Sequence, residues 1–389
     1  MKILLSSLIL FLSVFSLSAQ TIEDLNFGTE STLEVLTWNL EWFPTNGQQT
    51  IDYVTQIIEA LDVDVLAVQE INDTNAFKQL LDNLEDYDGY FKSGYYGGLE
   101  LAYIYKKDVI EIIDIYEIYT TSSYWNAFPR APMVMEMKYK DEKYVIINNH
   151  YKCCGDGILN LNDSGDEESR RYEASRLLKE YIDSNFPNEK VIVLGDLNDI
   201  LTDNASNNVF QLFFDDSSNY YFADTDLALS DDPSKWSYPK WPSHIDHLLV
   251  TNELFENYDP ASDVQTIKIE DYMGGWGTYE ANVSDHRPVA MKITPTVISG
   301  LDDLNFSDLT FSIYPNPFKE STTLSFKNVV EDAKIEIYNI NGKKVNLISI
   351  PKGEASIVWD AHSFSEGVYF VKLISDGNTV ITKKLILSK

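Results

Sequence analysis

Residues 191–199 read VIVLGDLND, and the rest of the chain is organised around them. The apolar run Val191 to Leu194 suits a strand buried on both faces, and Gly195 ends it, letting the backbone approach whatever lies beyond. Asp196 and Asn198 then leave the strand end together. On extended chain their i, i+2 spacing places both on one side, where a carboxylate and an amide present hard oxygens to a divalent cation or a phosphate. Asp and Asn after Gly are also ordinary turn residues, so this stretch alone leaves turn and site open.

Just upstream, residues 170–182 carry Ala174, Leu177, Leu178 and Ile182 at helical spacing. Before that helix, NLNDSGDEE at 160–168 is dense in oxygen ligands and compatible with either a solvated acidic loop or a loose calcium loop without EF-hand spacing. Residues 143–149 form a buried strand ended by His150, one of five histidines. A lone histidine is ordinarily structural or solvated, but one ending a buried strand in step with other strand-end acids is a better candidate.

Towards the amino terminus, LEVLTWNL at 33–40 is a strand that delivers Asn39 to a loop. Residues 51–61 are helical by spacing, and a second buried strand over 63–69 ends in Glu70. Strand, helix, strand, acid is how α/β sheets place ligands outside their strand ends. A helix follows over 72–84, with Asp73 or Thr74 as cap. Alternating segments at 95–107, 110–119, 131–139 and 143–149 predict antiparallel strands, hence a mixed sheet without a dinucleotide-binding fingerprint. Downstream, His244-Ile245-Asp246-His247 leads into a strand at 248–250, and Ser284-Asp285-His286-Arg287-Pro288 leads into one at 289–293. Two Asp/His pairs at strand starts, added to the strand-end residues, make a constellation that packing does not explain.

The ends of the chain carry addresses. Lys2, the apolar run over 3–17 and the small residues before Gln20 have the form of a signal peptide over 1–19. The run is shorter than the roughly 20 residues of a spanning helix, so no stable membrane insertion is expected. A net charge of −31 over 389 residues repels nucleic acid and anionic lipid from an average surface. A phosphate-bearing substrate therefore requires bound cations or a local basic patch. The two cysteines, Cys153 and Cys154, are adjacent and compatible with a vicinal disulfide or with free thiols.

Six segments together, TWNLEW, VQE, NNHYK, GDLND, SHIDHLLV and SDHRPV, resemble the endonuclease/exonuclease/phosphatase family of metal-dependent phosphoesterases. FPRAP at 128–132 is similar to a segment of secreted deoxyribonucleases of the DNase I type. The resemblance runs from about Leu33 to Ile293, in the family's order. It implies a four-layer α/β sandwich, two packed mixed β-sheets flanked by helices, for a catalytic domain over 20–293. It further implies Glu70 as the principal magnesium ligand, with Asn39 and Asp285 beside it and manganese or calcium as alternatives. Asp196 and Asn198 would hold phosphate and attacking water, or a second metal. His286, oriented by Asp246, would be the general base, and His150 the acid or hydrogen-bond donor at the leaving side. Glu100 is expected as the carboxylate partner of His150, and Arg130 as a phosphate contact. The expected activity is a secreted phosphodiesterase, foremost a nuclease with a nucleic acid substrate; a phosphatase or phospholipid-type phosphodiesterase is the alternative, and a catalytically dead binding protein the rival class.

After a linker over 294–311, residues 312–389 contain IYPNPF, IEIYNINGKKV and GVYFVKL, with Asn-Gly and Asp-Gly turns between alternating strands. They predict a small β-sandwich. These segments resemble the type A C-terminal sorting domain of the type IX secretion system, which implies that machinery as a partner and an extracellular or cell-surface destination; a carbohydrate-binding module is the structural rival. The 10 lysines and 8 acids from residue 310 onward give net +2, leaving −33 on the remainder. The acidity thus belongs to the enzyme portion.

Overall fold

Along β1 (Leu33–Phe43) the side chains alternate between two cores. Leu33 and Val35 join the apolar layer between two sheets, while Leu36, Trp38 and Leu40 join the layer beneath helices. This period of two, with both faces buried, is what a central strand requires. The computed structural model describes residues 20–92, 99–241, 243–295, 311–326, 333–340, 342–351, 356–375 and 378–388. The expected signal peptide and most of the expected linker lie outside them.

The elements that follow are α1 (Gln48–Leu61), β2 (Val65–Ile71), α2 (Thr74–Asn83), β3 (Tyr87–Phe91), β4 (Glu100–Lys106), β5 (Glu111–Glu117), β6 (Met133–Tyr139), β7 (Glu142–His150), α3 (Glu167–Asn185), β8 (Lys190–Asp196), β9 (Tyr220–Phe222), β10 (Asp246–Thr251), β11 (Val264–Thr266) and β12 (Val289–Ile293). The first sheet runs β11-β12-β1-β2-β4-β3 and the second β5-β6-β7-β8-β10-β9. Both are mixed: β1 pairs parallel with β2 and β7 with β8, while the other pairings are antiparallel. Val54, Ile57 and Ile58 of α1 and Phe77 and Leu80 of α2 cover the first sheet, and Ala174, Leu178 and Ile182 of α3 cover the second. Helices, sheet, sheet, helices is the expected four-layer sandwich.

The cap on α2 is Asp73, which accepts from the backbone N–H of Asn75 and Ala76. The α3 helix starts at Glu167, ahead of the expected 170, because Asp166 caps it through the Ser169 N–H at 2.8 Å. The expected strand over 95–107 is described only from Glu100, since 93–98 lie outside the described residues. Gly195 does not end its strand, which runs on to Asp196, but it does allow the expected close approach: its φ is +145°, and a Cβ there would stand 1.9 Å from the Asn149 carbonyl oxygen.

The chain divides into two compact units. In the second, a sheet of Phe311–Tyr314, Ser321–Phe326 and Ser356–Asp360 and a sheet of Lys344–Ile350, Ala333–Asn339, Gly367–Ser375 and Asn378–Leu387 share a core of Leu324, Ile335, Trp359, Val371 and Leu385. Among the described residues no helix is long and apolar enough to cross a membrane.

Candidate active site

The two sheets converge on one cluster at their strand ends. In the second sheet, register places His150 beside Asp196 and Asp196 beside Asp246 on three adjacent strands. In the first, Asn39 lies opposite Gln69, next to Glu70. Both strands break register there, between Asn39 and Phe43 and between Val68 and Ile71. Glu41, Trp42 and Glu70 take positive φ of 36°, 52° and 62°. Such bulges re-aim side chains at the edge of a sheet, and left-handed backbone at a bulky residue is held only by its surroundings. Here the Trp42 N–H donates to Glu70 Oε2 at 3.1 Å, and the Glu41 N–H to Asn39 Oδ1 at 2.9 Å.

The Asn39 amide stitches the sheets together, its Nδ2 donating to Glu70 Oε1 at 3.1 Å and to Asp196 Oδ2 at 3.0 Å. His286 Nδ1 bonds the fully buried Asp246 Oδ2 at 2.8 Å, leaving Nε2 facing Asp196 Oδ2 at 3.9 Å and Asp285 Oδ1 at 4.0 Å. Burial opposes charge on this imidazole, but Asp246, Asp196 and Asp285 outweigh it and raise its pKa to about 10. The Asp196 carboxyl is raised in turn, by burial first, with Asp246 and Glu70 adding to it against His286 and the Asn39 bond. His150 Nε2 lies 3.6 Å from Asp196 Oδ2 and 3.8 Å from Glu70 Oε1. Burial, reinforced by Arg130 and His286, holds His150 well below the usual imidazole range and therefore neutral.

Of the expected residues, Asn39, Glu70, His150, Asp196, Asp246, Asp285 and His286 thus come together. Arg130 is half-buried in the same field: burial lowers its pKa, against the charges of Glu70, Asp196, Cys153 and Glu100. Two expectations are corrected. Glu100 does not pair with His150, whose Nδ1 has no hydrogen-bond partner among the described residues; Glu100 opposes Ile71 in the first sheet and belongs to the surroundings of Arg130. Asp196 and Asn198 do not share one side of an extended chain. Asn198 is left-handed at φ 53°, its N–H donating to Asp196 Oδ1 at 3.1 Å and its Nδ2 to the Tyr151 carbonyl at 3.3 Å. The turn folds Asn198 back onto Asp196.

Two residues of the cluster escaped the sequence reading. Glu41, two positions past Asn39 in TWNLEW, is raised to about 6 by burial and by Asp285 and Glu70, with Lys240 acting against them. Tyr238 lies over His286 with ring centroids 4.7 Å apart. No motif marks Tyr238.

Neighbouring polar groups have structural work. His247 Nδ1 and His244 Nε2 bond Asp224 Oδ2 at 2.6 and 3.1 Å, and their other ring nitrogens meet the carbonyls of Asp199 and Lys235. This set is buried and satisfied, and it ties the loop after β9 to β10. Arg171 is buried between Asp199 at 2.8 Å and Glu168 at 3.1 Å. In the loop over 160–168, Asn160, Asp163 and Asp166 accept from backbone N–H groups of the same loop and of the α3 start. Cys153 and Cys154 are exposed free thiols.

The donors at the convergence are carboxylates and an amide, hard oxygens of the kind that magnesium, manganese and calcium take. Glu41 is raised by burial first and then by the charges of Asp285 and Glu70, a field that a bound cation would relieve. The donor set therefore fits a divalent ion.

The profile of the endonuclease/exonuclease/phosphatase family matches residues 36–286, and that of the secretion system C-terminal sorting domain matches 312–388. Among solved structures, D. rerio TDP2 complexed with single strand DNA product aligns at 15% identity over 68% of this chain and 100% of its own, with a TM-score of 0.51. A family protein from Bacteroides thetaiotaomicron aligns at 20% identity over 68% and 98%, TM-score 0.46, and the human Nocturnin catalytic domain with bound sulfate at 16% over 67% and 93%, TM-score 0.48. No curated protein matches the chain.

Proposed function

Because the chain belongs to the endonuclease/exonuclease/phosphatase family, we propose that it is a secreted, divalent-metal-dependent phosphodiesterase acting as an extracellular nuclease. The observation that carries this reading is the His286–Asp246 pair set against the Glu70, Asp285 and Asp196 carboxylates at the junction of two sheets. A cation held by Glu70 and Asp285, with Asn39 beside them, would offset the charge that develops on a phosphoryl group and the carboxylate field on His286.

The residues of the chain divide the remaining work. Asp246 holds the Nδ1 proton of His286, so Nε2 is the atom that accepts a proton from water, and the surrounding acids stabilise the imidazolium that results. Tyr238 fixes the ring from one face. His150, kept neutral, acts as a hydrogen-bond donor to a phosphoryl or leaving oxygen rather than as a strong acid. Arg130 supplies a fixed positive charge for the phosphate. Residues 312–389 direct export through the type IX machinery after a signal peptide over 1–19 is removed. The test is hydrolysis of plasmid DNA and RNA by wild type and His286→Ala. A loss of roughly 10²–10⁴-fold in a folded variant is expected, and full activity in that variant would remove His286 from the reaction.

A further inference from the structure

Three of the seven tryptophans, Trp42, Trp125 and Trp241, are exposed, and each lies in a segment that also carries a site residue. Trp42 follows Glu41, and its N–H holds Glu70. Its indole is 57% exposed on left-handed backbone at φ 52°. An apolar ring more than half exposed to water and a strained backbone are two costs at one position. Trp241 ends a short run in which Tyr238 lies over His286 and Lys240 Nζ stands 2.8 Å from Glu280 and 3.8 Å from Asp285. Trp241 itself is 74% exposed. Trp42 thus sits on the backbone that holds Glu70, and Trp241 follows the lysine that stands beside Asp285, so both tryptophans adjoin the same acidic cluster.

We propose that Trp42 and Trp241 are stacking platforms for unpaired bases, which makes single-stranded nucleic acid the preferred substrate; the inference rests on the nuclease reading above. With −33 on the enzyme portion, few cations are available to displace counterions from a phosphate backbone, so ionic attraction contributes little. The missing affinity has to come from contacts that need no charge. Bases of a single strand offer their ring faces to exposed indoles, whereas in a duplex those faces are stacked on one another. Sequence-tolerant stacking beside a metal-type cluster suits an enzyme that degrades unpaired strands of any sequence.

The test uses the full chain with magnesium on an unstructured 30-nucleotide single strand, the same sequence as a duplex, bis(p-nitrophenyl) phosphate and sphingomyelin vesicles. The expected result is a kcat/KM at least tenfold higher on the single strand than on the duplex. Trp42→Ala and Trp241→Ala should each raise KM on the single strand roughly tenfold with a smaller change in kcat, and the Phe variants should recover most of it. Unchanged KM in both Ala variants, or equal turnover of duplex and single strand, overturns the inference while leaving the nuclease reading intact. Turnover of vesicles lost in the Ala variants would make the indoles lipid anchors and overturn it as well. Turnover of bis(p-nitrophenyl) phosphate without turnover of any nucleic acid removes the nuclease reading, and the inference falls with it.

Discussion

Asn39 Nδ2 donates to Asp196 Oδ2 at 3.0 Å, joining a strand of the first sheet to a strand of the second through one side-chain bond. The same nitrogen holds Glu70, so a single amide sets the distance between the metal-type cluster and the carboxylate that faces both histidines. Asn39→Ala should lower hydrolysis by roughly 10²-fold while costing about 1–3 kcal/mol of stability, because the buried Asp196 and the half-buried Glu70 both lose a donor. Steady-state rates and urea melts check this; wild-type rates in Asn39→Ala would show that the bond positions nothing.

Asp246→Asn keeps the shape of the side chain but places an amide, part donor and part acceptor, against His286 Nδ1. The tautomer that frees Nε2 is no longer enforced, and kcat should fall roughly 10²–10⁴-fold with KM little changed. A drop confined to KM would mean that Asp246 shapes binding instead.

At the opposite end of β1, Glu34 is buried, with its pKa raised from 4.5 to about 7 by burial first, against its bond to Thr32, and by Asp64. The folded state therefore holds this proton more tightly than the unfolded chain. The resulting stability is fully present below pH 4.5 and is lost as pH rises through about 7. At 1.36 kcal/mol per pH unit, the difference amounts to at most about 3 kcal/mol. Glu34→Gln should accordingly raise Tm at pH 8 and leave it nearly unchanged at pH 4.5; equal effects at both values would contradict the assignment.

Deletion of residues 312–389 should leave hydrolysis by the purified protein intact, because the chain divides into two compact units and every candidate site residue lies in the first. It should abolish appearance of the protein outside the native host. Loss of activity in the purified truncation would instead give the second unit a part in substrate binding.

Much of this architecture is written in local pattern. The two-residue alternation from Leu33 to Leu40 and the continuous run Val191 to Leu194 announce buried strands, because a strand covered on both faces has no position left for polar residues. Motif residues at strand ends, Asn39, Glu70, His150 and Asp196, identify the convergence before any coordinates. What pattern does not contain is side-chain direction at irregular backbone. The left-handed Glu70 and Asn198, the bulge at Glu41 and the seat of Tyr238 on His286 depend on contacts between distant segments: Trp42 with Glu70, Tyr151 with Asn198, and Tyr238 with His286. Glu100 illustrates the limit: the resemblance implies it as the carboxylate partner of His150, whereas the His150 Nδ1 has no hydrogen-bond partner among the described residues.

The central claim, a cation-dependent phosphodiesterase built on Glu70, is tested most directly by initial rates on single-stranded DNA and RNA for wild type and Glu70→Gln, each with magnesium, manganese, calcium or excess chelator, across a sodium chloride series. Wild type should turn over substrate with magnesium or manganese and not with chelator, and a folded Glu70→Gln protein should lose several orders of magnitude in rate. The slope of log rate against log salt should be shallow, as the −33 charge of the enzyme portion requires. Undiminished hydrolysis in chelator, or by Glu70→Gln with its melting transition intact, would contradict the central claim.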